Sequence, residues 1–322
     1  MIDAQHLTKR YGAKTAVDDL TFTVQPGQVT GFLGPNGAGK STTMRMILGL
    51  DAPTSGTVTV GGRPYAEHPR PLQVVGALLE ARAIHTSRTA YHHLLALATT
   101  HGISTSRVRQ VIDQVGLTDV ASKRAGGFSL GMGQRLGIAT ALLADPDTLI
   151  LDEPVNGLDP EGIRWIRELL KNLAAEGRTV LISSHLMSEM AVTADHVLVL
   201  GRGRLLADLP MTELLAQAAS NTVLVRTPQA EEFSSALTAM GATVSRTDVD
   251  VLEVTGPTAA GIGDLARDLR ISIHGLTPRQ VSLEEAYMDM TRDAVEFHAS
   301  TTTGPVLDTD TRDAGLSEGT AA

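Results

Sequence analysis

The run Gly34-Pro-Asn-Gly-Ala-Gly39-Lys40-Ser41 puts three glycines, a lysine and a hydroxyl in the spacing that phosphate binding needs. Glycine lets consecutive backbone N–H groups turn inward around phosphate oxygens, because no Cβ obstructs the required angles. A helix predicted to start near Ser41 adds the positive end of its dipole. Lys40 offers a point charge to the β- and γ-oxygens of a nucleotide, and the Ser41 hydroxyl can ligate Mg2+. A second cluster, Leu149-Ile-Leu-Asp152-Glu153, is an apolar strand that ends in two carboxylates. Asp152 is placed to hold Mg2+, directly or through water. Strand alternation puts Glu153 on the other side, where it can polarise an attacking water. A third apolar segment, residues 179–183, is followed by His185, a position from which an imidazole reaches a γ-phosphate and that water. Each cluster alone has an ordinary explanation: a glycine-rich turn, an acidic strand end, a surface histidine. Their succession gives nucleoside triphosphate chemistry the advantage.

Elements must bring these groups together. Strands are predicted over residues 2–7, 20–25 and 28–33, the last running straight into the glycine-rich loop. A helix over 42–50 follows, with Met44, Ile47 and Leu48 on one face, and then a strand over 56–60. Residues 85–145 read as mostly helical, with helices over 91–99, 106–115 and 133–143. Strand 148–151, helix 161–175, strand 179–183, helix 187–193 and strand 197–200 complete the pattern. Strands alternating with helices predict an α/β fold with a mostly parallel sheet covered on both faces, ligand at the carboxyl ends of its strands, and an inserted helical subdomain. Beyond Gly201 the order changes to strand 222–226, helix 230–240, strands 243–246 and 249–254, helix 259–269 and strand 271–275. That βαββαβ succession is the split, ferredoxin-like α+β pattern. A last helix is expected over 283–290, and residues 293–322 have no periodicity and are expected to be disordered. The division is thus 1–216, 217–292 and an acidic tail, 293–322.

Composition narrows the classes. The 322 residues carry a formal charge of −9, which disfavours nucleic acid as the main partner. Aromatics are 3%, too few for a base-stacking surface. The tail from residue 293 holds six acidic residues against one arginine, so the charge on the remainder is modest. No cysteine is present, which removes disulfides and thiolate chemistry and fits a reducing compartment. No run approaches the roughly 20 apolar residues of a membrane span, and the first twelve residues lack the apolar core of a secretion signal. The expectation is a cytoplasmic chain that meets a membrane only through a partner.

GPNGAGKS, LILDEP, VNGLDP and SSH, in this order and spacing, resemble the ATP-binding subunit of an ABC transporter. Phe128-Ser-Leu-Gly-Met132, followed by Gly133-Gln-Arg135, stands where that family has its signature motif. Tyr11 matches the aromatic residue that stacks on adenine, and Asn156-Gly-Leu-Asp159 matches the D-loop. The resemblance covers residues 2–216. The signature and the closing Ser282-Leu-Glu-Glu-Ala-Tyr287 are most similar to the drug and antibiotic-resistance exporter branch, the daunorubicin-resistance-like ATPases. There the ATPase pairs with a separate transmembrane permease on the cytoplasmic face of the membrane.

This resemblance implies a P-loop NTPase cassette that uses ATP and Mg2+. It places Tyr11 on adenine, and Asn36, Gly37, Gly39, Lys40, Ser41 and Thr42 around the phosphates. Ser41 and Asp152 assist the metal, Glu153 is the general base and His185 senses the γ-phosphate. Ser129 and Gly131 reach the γ-phosphate of an ATP held by a second copy of the chain. Two departures stand out. Glu80 occupies the place of the family's metal-binding glutamine and adds negative charge there, and Leu130 and Met132 replace the commonest signature residues. Glu80 also sustains an alternative, a soluble ABC-type ATPase used as a nucleotide switch without transport. Elsewhere, adjacent His92 and His93 diverge on a helix and predict no metal site. Trp165 reads as packing. Ile84 and Tyr91, in the segment where the family docks its membrane partner, read equally as interface or core.

Overall fold

A computed structural model describes residues 1–80, 84–184, 186–218 and 222–278. His185, the helix expected over 283–290, the 282–287 motif and the 293–322 tail lie outside the described residues.

In chain order, strands β1 (Ile2–Tyr11), β2 (Lys14–Val24) and β3 (Val29–Leu33) lead through the glycine-rich loop into helix α1 (Lys40–Ile47). Strand β4 (Ser55–Val60) and the short helix α2 (Pro71–Val74) precede β5 (Val75–Leu78). Helices α3 (Ala90–Thr100), α4 (Thr105–Gln114) and α5 (Leu130–Leu142) follow. Then come β6 (Thr148–Leu151), α6 (Pro160–Ala175), β7 (Thr179–Ser183), α7 (Met187–Thr193), β8 (His196–Gly201), β9 (Arg204–Pro210) and α8 (Met211–Ala218). The C-terminal part contributes β10 (Thr222–Arg226), α9 (Ala230–Ala239), β11 (Thr243–Asp248), β12 (Val251–Thr255), α10 (Ala259–Asp268) and β13 (Gly275–Pro278).

The central sheet has the order β5-β6-β7-β3-β8-β9; its first five strands are parallel and β9 runs antiparallel to β8. Side-chain alternation divides its two faces cleanly. Leu149 and Leu151 of β6, Val180 and Ile182 of β7, and Val197 and Val199 of β8 face one core with helices α3 to α6. Ile150, Leu181 and Leu198 face the other, which α1 and the antiparallel sheet β2-β1-β4 close. Each fully buried aliphatic side chain contributes about 1.5–3 kcal/mol, so a strand buried on both faces is held strongly whatever lies at its end.

Several helices begin where a side chain can satisfy the first free N–H groups. Thr89 accepts from His92 N, Ser104 from Arg107 N, Ser129 from Met132 N, and Asp159 from Gly162 N ahead of Pro160. Each cap contributes about 1 kcal/mol and fixes the entry of the helix. The inserted helices pack among themselves through Leu94, Val108, Ile112 and Leu136.

Strands β11-β12-β10-β13 form an antiparallel sheet in the split βαβ order, over a separate core that includes Val225, Phe233, Leu237, Val254 and Ile262. The expected last strand, 271–275, is displaced: Ile271 is buried in the core, and pairing with β10 starts only at Gly275, opposite Arg226. Strands β5 and β9 and helix α8 were not predicted. Four residues give β5 little pattern, and β9 has no buried position to mark it, only exposed and half-buried ones.

Candidate active site

The glycine-rich loop joins β3 to α1 at the carboxyl end of the parallel sheet. Gly39 caps α1 in a left-handed conformation, with φ +104, and a Cβ there would lie 2.7 Å from the Ala16 carbonyl oxygen. Any other residue would therefore both strain the turn and push β2 away. No side chain caps α1 and no acidic residue lies in its first turn, so its leading N–H groups and positive dipole end face the loop. Lys40 is 7% exposed, and its ammonium donates to the carbonyl oxygens of Gly34 at 2.6 Å and Pro35 at 3.2 Å. Burial pulls this ammonium below the ordinary lysine range, and the carboxylates of Glu153 and Asp152 oppose the shift.

Next to the loop, the Ser41 hydroxyl donates to Asp152 Oδ2 at 2.6 Å. Ser183, fully buried at the end of β7, donates to the other carboxylate oxygen of Asp152 and accepts from Glu153 N at 2.9 Å. Asp152 N donates to the Leu78 carbonyl at 2.7 Å, extending the sheet pairing one residue past β6. Glu153 then turns to φ +51, a left-handed conformation that costs about 1–2 kcal/mol for a residue with a Cβ. The turn changes the expected placement. Alternation would send the two carboxylates to opposite sides, but the strand has ended at Leu151, and both acids line one cleft. That cleft, of about 420 Å³, is also lined by Tyr11, Lys14, Ala16 and the loop residues Asn36 to Thr42.

Tyr11 stands at the cleft and is 48% exposed. Its hydroxyl donates to Asp51 Oδ2 at 2.9 Å, and the Lys9 ammonium lies 4.9 Å from the ring centroid. Arg45 of α1 donates to the same carboxylate at 2.8 Å and, with Tyr11, holds Asp51 below the usual carboxylate range. The aromatic wall is thus tied to the helix that follows the phosphate loop.

Ser129 and Gly131 do not line this cleft. They begin α5, and a Cβ on Gly131 would come 2.7 Å from the Gly157 carbonyl, so the signature segment lies directly against the 156–159 loop. Glu80 is exposed, two residues beyond β5, and likewise does not line the cleft. His93 is buried, with its Nε2 3.5 Å from Thr140 Oγ1, and burial lowers its pKa. Trp165 donates from Nε1 to the Gln114 carbonyl at 3.2 Å and lies under the Arg135 guanidinium, a packing role. Ile84 and Tyr91 are partly buried against the main core.

Two residues gained no individual role from the sequence. Ser183 is a hydroxyl at the end of an apolar strand beside the acid pair, and that placement is its only sequence signal. Gln134, 1% exposed on α5, donates from Nε2 to the Glu153 carbonyl at 3.1 Å.

The donor set suits a nucleotide with Mg2+. A serine hydroxyl and a carboxylate converge at the mouth of an uncapped helix, which matches the hard oxygen ligands that this ion takes together with substrate phosphates. Among the described residues, no group of three or more histidines, aspartates or glutamates could hold a metal by itself.

A sequence family described as ABC transporter matches residues 17–156, and one described as a domain of unknown function matches residues 221–284. The chain is 35% identical over 299 residues to the uncharacterized ABC transporter ATP-binding protein YhcH of Bacillus subtilis (strain 168), covering 92% of this chain and 97% of the relative. It is 44% identical over 217 residues to the bacitracin transport ATP-binding protein BcrA of Bacillus licheniformis, covering 66% of this chain and 71% of that one. A solved structure of the ATP-binding subunit of an ABC transporter superposes with a TM-score of 0.62 at 30% identity, over 67% of this chain and 92% of the other.

Proposed function

Because this chain belongs to the family of ABC transporter ATP-binding proteins, we propose that its cleft binds ATP and hydrolyses it to drive an exporter. The observation that carries this reading is the convergence of the glycine-rich loop, Ser41, Asp152 and Glu153 on one cleft with Tyr11 at its edge. In it, Tyr11 stacks on adenine, and the loop from Asn36 to Thr42 donates backbone N–H groups to the phosphates. Lys40 turns from its loop carbonyls to the phosphate oxygens. Ser41 and Asp152 would hold Mg2+, which supplies neutralisation of phosphate charge. Glu153 accepts the proton of the attacking water, and His185 contacts the γ-phosphate beside it. Glu80, exposed and outside the cleft lining, has no part in holding the metal in this reading.

Ser129 and Gly131 begin α5 and do not line this chain's own cleft, and in this reading they serve an ATP bound to a second copy. Two chains then clamp two nucleotides between them. Among the described residues no helix is long and apolar enough to cross a membrane. Passage of the exported compound belongs in this reading to a separate permease, with this chain on its cytoplasmic face. The name of the bacitracin transport relative supports an antibiotic or similar hydrophobic compound as the cargo. The ferredoxin-like unit and the tail are accessory.

The test is Glu153→Gln. Phosphate release should fall at least 100-fold, a typical contribution of a general base, while ATP binding persists and the chain elutes as an ATP-dependent dimer. Normal turnover by this variant would refute the assignment of the base.

A further inference from the structure

Glu153 is held at both ends of its own residue. Its N–H donates to Ser183 Oγ at 2.9 Å, and its carbonyl accepts from Asn156 N at 3.2 Å and from Gln134 Nε2 at 3.1 Å. These bonds surround a left-handed residue, φ +51, whose side chain must point at the reacting water. Ser183 and Asn156 are close neighbours of the acid pair in the fold. Gln134 is different, because it comes from α5, the helix that starts at Ser129 and Gly131.

Stability alone does not explain a glutamine there. Its side chain is buried, and among the described residues its Oε1 has no hydrogen-bond partner. A buried amide oxygen without a donor is costly, and an apolar side chain of the same length would avoid that cost. What an apolar side chain cannot do is donate to the Glu153 carbonyl.

We propose that Gln134 is a positioning residue that ties the signature helix to the Glu153 peptide, so that the base of one ATP site is set by the helix serving the other. This rests on the reading of Glu153 as the base and of α5 as facing the second copy. When ATP of the partner draws on Ser129 and Gly131, a shift of α5 is felt at the Glu153 carbonyl through the Gln134 amide. The device gives each site a reason to fire only when the other is filled.

The experiment compares the full chain with Gln134→Met, which keeps the length and removes the donor, and Gln134→Asn, which keeps an amide one methylene too short. Steady-state hydrolysis against ATP concentration and equilibrium ATP binding are measured on each, with Glu153→Gln as control. Displacing a catalytic group by about an ångström can cost on the order of 100-fold. Both variants should therefore lose about 10- to 100-fold in kcat, keep KM and Kd for ATP within about twofold, and lose cooperativity in ATP. Wild-type kcat in either folded variant overturns the proposal, and so does a loss shared between kcat, KM and Kd, which marks plain packing. If the wild type is inactive, or Glu153→Gln turns over normally, the reading of the site fails and this inference fails with it. If Glu153→Gln is dead while the Gln134 variants are normal, only the inference fails.

Discussion

Lys40 shows at the scale of one residue how the site trades stability for binding. Its ammonium is buried, satisfied by two loop carbonyls, and held below the ordinary lysine range by desolvation. The folded state therefore gives up this proton more readily than the unfolded chain does. A depressed basic pKa means that the charged form is disfavoured by folding, so stability rises as the pH climbs through the window below 10.5. At neutral pH the charge is a liability that phosphate oxygens relieve. Lys40→Met should weaken ATP binding at least tenfold, about 1.4 kcal/mol, by calorimetric titration. The melting temperature of the nucleotide-free variant should not fall. A large loss of stability with unchanged affinity would make Lys40 a loop brace only. Residues such as Lys40, Ser41 and Asp152 were legible because their spacing along the chain already encodes the chemistry. Ser183 and Gln134 were not, since each acts on Glu153 from another element, across 30 and 19 residues of sequence.

Elements position the site where a short distance leaves no room for adjustment. The start of α5 and the loop at Gly157 touch through backbone, with no space for a Cβ at Gly131. Gly131→Ala must separate the two segments by several tenths of an ångström. It should destabilise the chain by about 1–3 kcal/mol, as overpacking does, in a denaturant titration. Hydrolysis should fall more than ATP binding to the isolated chain, because the segment lies outside that chain's cleft. A Gly131→Ala variant as active and as stable as the wild type would show that the contact is dispensable. Elements with a strong period or an apolar run, such as α4, α6, β6 and β7, were read from sequence to within one residue or so. The four-residue β5 was not, because so short a run carries no period and is defined only by pairing with β6. The Glu153 turn escaped for a related reason. Alternation describes a residue only while its strand continues, and no breaker before Pro154 announces that β6 ends at Leu151.

At the scale of the molecule, the buried apolar side chains of the described residues sort into three cores rather than one. Two share the central sheet, and α8 packs on one of them, the main core, through buried Met211 and Leu214. The third draws on residues from Val223 onward and has its own sheet and helices. Ending the chain after Ala218 would therefore remove no buried residue of the first two cores. The truncated protein should melt cooperatively and bind ATP within about threefold of the full chain, since sites without shared partners add independently. Hydrolysis is then the informative readout. An unchanged rate assigns the C-terminal unit to a task away from turnover, whereas a raised rate assigns it a restraint on the motor. Failure of the shortened chain to fold would mean that the third core supports the other two, contrary to their separate membership. The comparison also bears on charge, because truncation removes the acidic tail together with the small domain. The same salt dependence of ATP affinity in both chains would show that the cleft's own dipoles and Lys40 govern nucleotide binding, without a contribution from the tail carboxylates.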